Sequence, residues 1–308
     1  MVAQLLVFGF MCVATPLQSV LVRFDCLKMP NGKKVFIFFE FHSPISARDK
    51  NQLEIMERIL LLLNHEPRTD RLRLMVEVPA YIVQECAQMP KVTYDIINRV
   101  EHIQSIIAED VEIRCMCLGA SCLLDAPIEQ VEDERIATEL YNAGESWCAA
   151  GDITVERLLK EFSTQKAELC CNTDNVQLLE PLFRKKCSEI EADERRLMQV
   201  LQEVNARPDE RIIDLARRLH YGSCPIMDLC HVGGKISDLG AHLFDLHILR
   251  KTLQSLQDNC MIITGSHHAE WLCEALECLG ATYHTSESER LKVLDEEMLT
   301  YFEIDLDV

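Results

Sequence analysis

Short apolar runs alternate along this chain with longer stretches in which apolar residues return every three or four positions. Val35-Phe36-Ile37-Phe38-Phe39, Arg73-Leu74-Met75-Val76 and Met261-Ile262-Ile263 are the clearest short runs. Their length and their β-branched and aromatic content predict buried strands. Between the first two, residues 47–64 place Leu53, Met56, Ile59, Leu60 and Leu63 on one helical face. Strand, helix, strand is a βαβ unit, which predicts parallel neighbouring strands. Asn31-Gly32, between apolar runs at 20–26 and 34–41, predicts a hairpin turn into the first of them.

The same reading predicts a helix at residues 93–108 and a strand at 112–118, with Cys115 and Cys117 on one face. From about 127 to 220 strand signals vanish. Leu182, Phe183, Cys187, Ile190, Leu197, Leu201 and Val204 recur at helical spacing, which predicts a helical insertion. Residues 221–240 are rich in Gly, Ser and Asp and predict a loop of the kind that lines sites. A helix at 241–256, a strand ending at Thr264 and a helix from about 269 to 279, closed by Gly280, follow. Residues 299–306 predict an edge strand. The expected fold is α/β: a mixed, mainly parallel sheet with helices on both faces. It forms a single domain over residues 23–308 with a helical insertion at about 125–220.

Composition narrows the function classes. Hydrophobic residues make up 48% of the chain, enough for a sizeable core. A net charge of −19 excludes a nucleic-acid groove and disfavours anionic membrane surfaces. The basic patches Arg184-Lys185-Lys186 and Arg217-Arg218 lie among acids and read as solvated helix faces. Fifteen cysteines without a single CxxC read as mostly buried thiols of a reducing compartment. Cys224, Cys230 and His231 match no zinc-ligand spacing. Residues 1–22 form an apolar leader that reads either as a signal peptide without a basic start or as a buried first element. A cytoplasmic location and export therefore both stay open. The leader is too short and interrupted to predict a membrane span.

The candidate chemistry lies where strands stop. In open α/β sheets, ligands bind at the carboxyl ends of the strands. Glu40 and His42 end the first strand, Glu77 ends the second, and His267-His268 follow the last. A neutral histidine can take a proton from water, and a carboxylate beside it can fix its tautomer. Two histidines and two glutamates can instead hold a divalent metal that activates the water. Each residue also has a plain structural reading. Glu40 can cap the following helix, and His268 can simply open the helix that begins beside it. His242 and Asp245 share a helix face at i, i+3, with His247 nearby, which suits surface or packing roles.

Three of these segments together carry a resemblance. Phe39-Glu40-Phe41-His42, Val76-Glu77-Val78-Pro79 and Gly265-Ser266-His267-His268 resemble, in that order, motifs of one superfamily. It joins the erythromycin esterases, the haem-binding ChaN lipoproteins and the TraB and Tiki proteins. The resemblance covers roughly residues 34–85 and 242–282. It implies a hydrolase of ester or peptide bonds acting on a small-molecule or peptide substrate. His42 would be the general base, Glu40 and Glu77 orienting or ligating carboxylates, and His268 a second base or transition-state donor. Family spacing selects His268 over His267 and makes Asp245 a supporting residue. The Tiki branch implies a divalent metal on Glu40, His42, Glu77 and His268. The ChaN branch implies haem held without hydrolysis, with Tyr81 as a ligand. Phe39 stands where the family has glycine, which opens a third reading, a non-catalytic remnant. No aspartate or arginine ends the strand expected at Leu118, where relatives place polar groups.

Overall fold

Gly32 turns the chain at φ +85°, a left-handed conformation that glycine adopts without penalty. The turn folds β1 (Gln18–Lys28) back on β2 (Lys34–Ser43) as the Asn-Gly pair predicts. Asn31 pins it to the rest of the molecule, its side-chain amide donating to the Leu256 carbonyl at 2.9 Å. This is a computed structural model, and it describes residues 18–43, 55–61, 71–77, 96–97, 100, 103, 105–126, 128–132, 140–143, 146–170, 180–222 and 225–284. Residues 1–17 of the leader, Tyr81, Cys224 and the edge strand expected at 299–306 lie outside the described residues.

The main sheet adds β3 (Leu72–Val76), β4 (Ile106–Asp110), β7 (Asn259–Gly265) and β8 (Thr282–Tyr283), in the order β4-β3-β7-β2-β1-β8. Strands β2, β3, β4 and β7 are mutually parallel, and β1 runs antiparallel to β2 and β8. The fold is thus α/β with a mixed, mainly parallel sheet. One expectation needs correcting. Strands β2 and β3 are parallel but not adjacent, because β7 is inserted between them. That insertion delivers Gly265 and the two histidines into the gap between Glu40 and Glu77.

Strand alternation sorts the core into two faces. Phe36, Phe38, Leu74, Val76, Met261 and Ile263 pack against the helical residues 55–61 and Ile96, Val100 and Ile103. Ile37, Phe39, Met75 and Ile262 pack on the other face, under two long helices. Phe39 is a core residue there, 1% exposed, with the Arg23 guanidinium 4.2 Å from its ring centre.

The helices are α1 (Cys115–Asp125), α2 (Ile128–Val131), α3 (Val155–Cys170), α4 (Glu180–Glu203), α5 (Ile212–His220), α6 (Pro225–Ser255) and α7 (Ser266–Cys278). The apolar spacing seen in the sequence is realised in α4, where Ile190, Leu197 and Leu201 are buried. Together α1 and α3 to α6 enclose a separate helical core. Beside α1 lies a small antiparallel pair, β5 (Leu140–Ala143) and β6 (Ser146–Ala149), which the sequence pattern did not reveal. Helix α7 ends as expected, with Gly280 at φ +84° just beyond it.

Two predicted elements are overturned. The strand at 112–118 is a turn followed by α1, and the true strand is Ile106–Asp110, which overlaps the end of the stretch expected to be helix. A short apolar run such as Cys115-Met116-Cys117-Leu118 does not distinguish a buried strand from a buried helix. The loop at 221–240 is mostly the first half of α6, which runs unbroken for 31 residues. Two of its glycines serve close packing. A Cβ on Gly240 would stand 2.3 Å from the Cys117 sulfur, and one on Gly233 2.9 Å from an Asp125 oxygen.

Candidate functional site

The carboxyl ends of β3 and β7, roofed by α6 and α7, hold a buried chain of charged side chains. Glu77 follows β3 and is tied to β7 by its backbone, its N–H donating to the Ile263 carbonyl at 2.9 Å. Its side chain accepts from Thr264 Oγ1 at 2.5 Å and from the Gly265 N–H at 2.7 Å. The Arg114 guanidinium donates to its other oxygen.

Arg114 lies in the turn after β4, which is built by acids bonding the backbone ahead of them. Asp110 accepts from the Glu112 N–H at 2.9 Å, and Glu112 accepts from the Arg114 N–H at 2.6 Å. Glu112 also takes the guanidinium two-pronged, Nε at 2.9 Å and Nη2 at 2.7 Å. Such paired contacts match the planar fork of arginine. The guanidinium packs 4.2 Å from the Phe244 ring centre, and its Nη1 lies 2.8 Å from His268 Nε2. One Nη1–H keeps no partner among the described residues.

His268, 7% exposed at the start of α7, is held on its other nitrogen by Asp245 of α6, at 2.6 Å. The second Asp245 oxygen accepts from Lys186 of α4 at 2.9 Å. Lys186, read from the sequence as part of a solvated face, is only 6% exposed. The reason is this ion pair and the Trp271 ring, whose centre lies 4.7 Å from its ammonium.

The contacts fix the protons on His268. A carboxylate only accepts and a guanidinium only donates. The neutral ring with its hydrogen on Nδ1 satisfies both, Nδ1–H toward Asp245 and the Nε2 lone pair toward Arg114. Burial alone would raise the Glu77 pKa, but Arg114, with Thr264 and Gly265, outweighs it and holds the carboxyl down at about 2. Burial likewise works against the Arg114 charge, and Glu112 and Glu77 more than restore it.

The sequence-derived candidates fare unevenly. Glu77, His268 and Asp245 are brought together. Glu40 pairs in register with Gly265, and its carbonyl accepts from Ser266 Oγ at 2.9 Å. Its side chain, however, falls with Phe36 and Phe38 on the opposite face of the sheet from Glu77. His42 pairs with Ser19 in the hairpin, and its side chain lies outside the described residues. His267 is exposed on α7. His242 turns to α4, its Nδ1 3.0 Å from Asp193. Burial and the neighbouring Lys251 hold His247 down at about 4.

Arg114, Glu112 and Lys186 were not singled out from the sequence. The acids Glu109-Asp110 at the end of a short run with Ile106-Ile107 were the available signal for the first two. The strand expected to end at Leu118 without an aspartate or arginine ends instead at Asp110, with Arg114 four residues beyond.

Among the described residues no group of three or more His, Cys, Asp or Glu side chains is arranged to hold a metal. Glu77 and His268 aim at one guanidinium, and a divalent ion touching both would sit against that positive charge. This donor set does not fit a metal. Among the described residues no helix is long and apolar enough to cross a membrane. No family model, curated protein or solved structure matches the chain.

Proposed function

We infer that this chain is a hydrolase of ester or peptide bonds whose water is activated at the Glu77, Arg114, His268 and Asp245 cluster. The observation that carries the reading is the buried Asp245–His268 pair at the carboxyl edge of parallel strands, with a guanidinium on the far nitrogen. It agrees with the resemblance to the erythromycin esterase, ChaN and TraB/Tiki superfamily.

The chemistry follows from the contacts. A substrate carbonyl oxygen that accepts from the spare Arg114 Nη1–H draws the guanidinium away from Nε2. The freed lone pair takes a proton from water as the water oxygen bonds to the carbonyl carbon. Asp245 stabilises the resulting imidazolium, and Arg114 donates to the oxyanion. When the ester or amide bond breaks, the imidazolium returns its proton to the leaving oxygen or nitrogen. Glu77 holds Arg114 in line throughout.

A second reading, a binding protein in the manner of the ChaN branch, draws on the same Arg114–His268 contact. In the resting structure that contact occupies the nitrogen a base needs. One experiment separates the two. Wild type and His268→Gln are assayed on a panel of esters and peptides and titrated with haemin. Hydrolysis lost in the variant supports the hydrolase. A folded wild type that cleaves nothing and gains a Soret band supports binding instead.

A further inference from the structure

We propose that Lys186, carried by the helical insertion, is a positioning residue for His268, acting through the Asp245 carboxylate. The inference rests on the reading of His268 as the functional base. Three observations place the lysine in that role. Its ammonium and His268 Nδ1 divide the two oxygens of Asp245, at 2.9 Å and 2.6 Å. Lys186, Asp245 and His268 are all buried, at 6%, 6% and 7% exposure. Trp271, three residues beyond His268 on α7, fixes the ammonium from the side, its ring centre 4.7 Å away.

A buried carboxylate is held most firmly when both oxygens are engaged, and leaving its charge uncompensated is costly. With Lys186 on Oδ2, Oδ1 is left to face Nδ1–H, which in turn sends the Nε2 lone pair toward the Arg114 Nη1–H that it accepts from. A solvent-reachable cavity of about 780 Å³ between α4, α6 and α7 has Lys186, His242 and Trp271 in its wall. Without the lysine, water from that cavity reaches Asp245. The insertion therefore helps order the site that α6 and α7 roof.

The test reads the His268 Nδ1–H proton by NMR in ¹⁵N-histidine-labelled full-length protein, assigned by its loss in His268→Gln. In Lys186→Met the exchange of this proton with water is expected to speed up by about tenfold or more, with Lys186→Arg returning it toward the wild-type rate. Trp271→Leu, which removes the ring that steadies the ammonium, is expected to speed it by a smaller factor. It serves as the deciding variant if Lys186→Met does not fold. Wild-type exchange in a folded Lys186→Met, or in Trp271→Leu where that variant decides, overturns the proposal. The proton is read without substrate. Fast exchange in a protein that cleaves nothing would sink only the hydrolase reading, and unchanged exchange beside active hydrolysis would sink only this one.

Discussion

Arg114 Nη1 stands 2.8 Å from His268 Nε2, so the guanidinium and the imidazole share one hydrogen bond across the gap between β4 and α7. The same guanidinium neutralises Glu112 and Glu77, both buried or nearly so. Removing it leaves two carboxylates with no cation. Arg114→Met is expected to destabilise the protein by about 3–5 kcal/mol, read as a lower urea midpoint with unchanged slope. Arg114→Lys should recover only part of the loss, because an ammonium cannot bridge Glu112, Glu77 and His268 in one plane. A wild-type midpoint in Arg114→Met would contradict the described cluster.

The depressed Glu77 gives a pH signature. Its pKa falls from the ordinary 4.5 to about 2 in the folded protein. The unfolded chain binds the proton more tightly, so the stabilisation is complete above about 4.5 and lost as pH falls toward 2. Its size is on the order of 3 kcal/mol. The stability difference between wild type and Glu77→Gln should be largest near neutrality and shrink steadily through this window. A difference that does not change with pH would rule out the Glu77–Arg114 coupling.

His247 opens an earlier acid step. Burial and Lys251 lower its pKa from 6.5 to about 4. Between those values the unfolded state takes up the proton and the folded state does not, so stability declines as pH drops from 6.5 to 4. In His247→Gln this part of the decline should be absent while the Glu77 step remains. Stability curves that superimpose above pH 4.5 would count against the assignment.

The sheet was legible because its strands are buried on both faces and read as continuous apolar runs. Residues 35–39 and 261–263 could hardly be anything else. The order of strands was not legible. Nothing local to β2 or β3 announces that a segment roughly two hundred residues later will pair with both. Glu77 and His268 were picked out because each closely follows an apolar strand run. Arg114 was missed because Cys115-Met116-Cys117 imitates a strand and hid the turn before it. Lys186 was missed because its sequence neighbours Arg184 and Lys185 are exposed, and only the tertiary ion pair with Asp245 sets it apart. Glu40 shows the reverse failure. Its position at a strand end was right, but strand parity, fixed by Phe36 and Phe38, turns it to the other face.

Helix α6 offers a matched pair of glycines. At Gly240 a methyl group would meet the Cys117 sulfur at 2.3 Å and its Cβ at 3.4 Å. At Gly234 nothing lies within 4 Å. Gly240→Ala should therefore cost about 1–3 kcal/mol as α1 and α6 are forced apart. Gly234→Ala should gain up to about 1 kcal/mol from helix propensity. Thermal unfolding of the two variants checks the prediction, and equal shifts of the same sign would mean that the two helices do not approach as closely as described.

Gly265 poses the sharper question, because its backbone does not need glycine. Its φ of −53° suits any residue. An added Cβ would lie 3.5 Å from Glu77 Oε2 and 3.5 Å from His268 Cδ2, which is ordinary contact. Gly265→Ala should accordingly fold with stability within about 0.5 kcal/mol of wild type. The methyl would nevertheless stand between the carboxylate and the imidazole, where the proposed mechanism brings the substrate carbonyl. Hydrolysis, or haemin binding if that is the activity, should fall by at least about tenfold, since a misplacement of about 1 Å at a reacting centre already costs more than that. Circular dichroism and urea unfolding verify the fold on the same samples. Full activity in a folded Gly265→Ala would place the reacting atoms elsewhere than between Glu77 and His268.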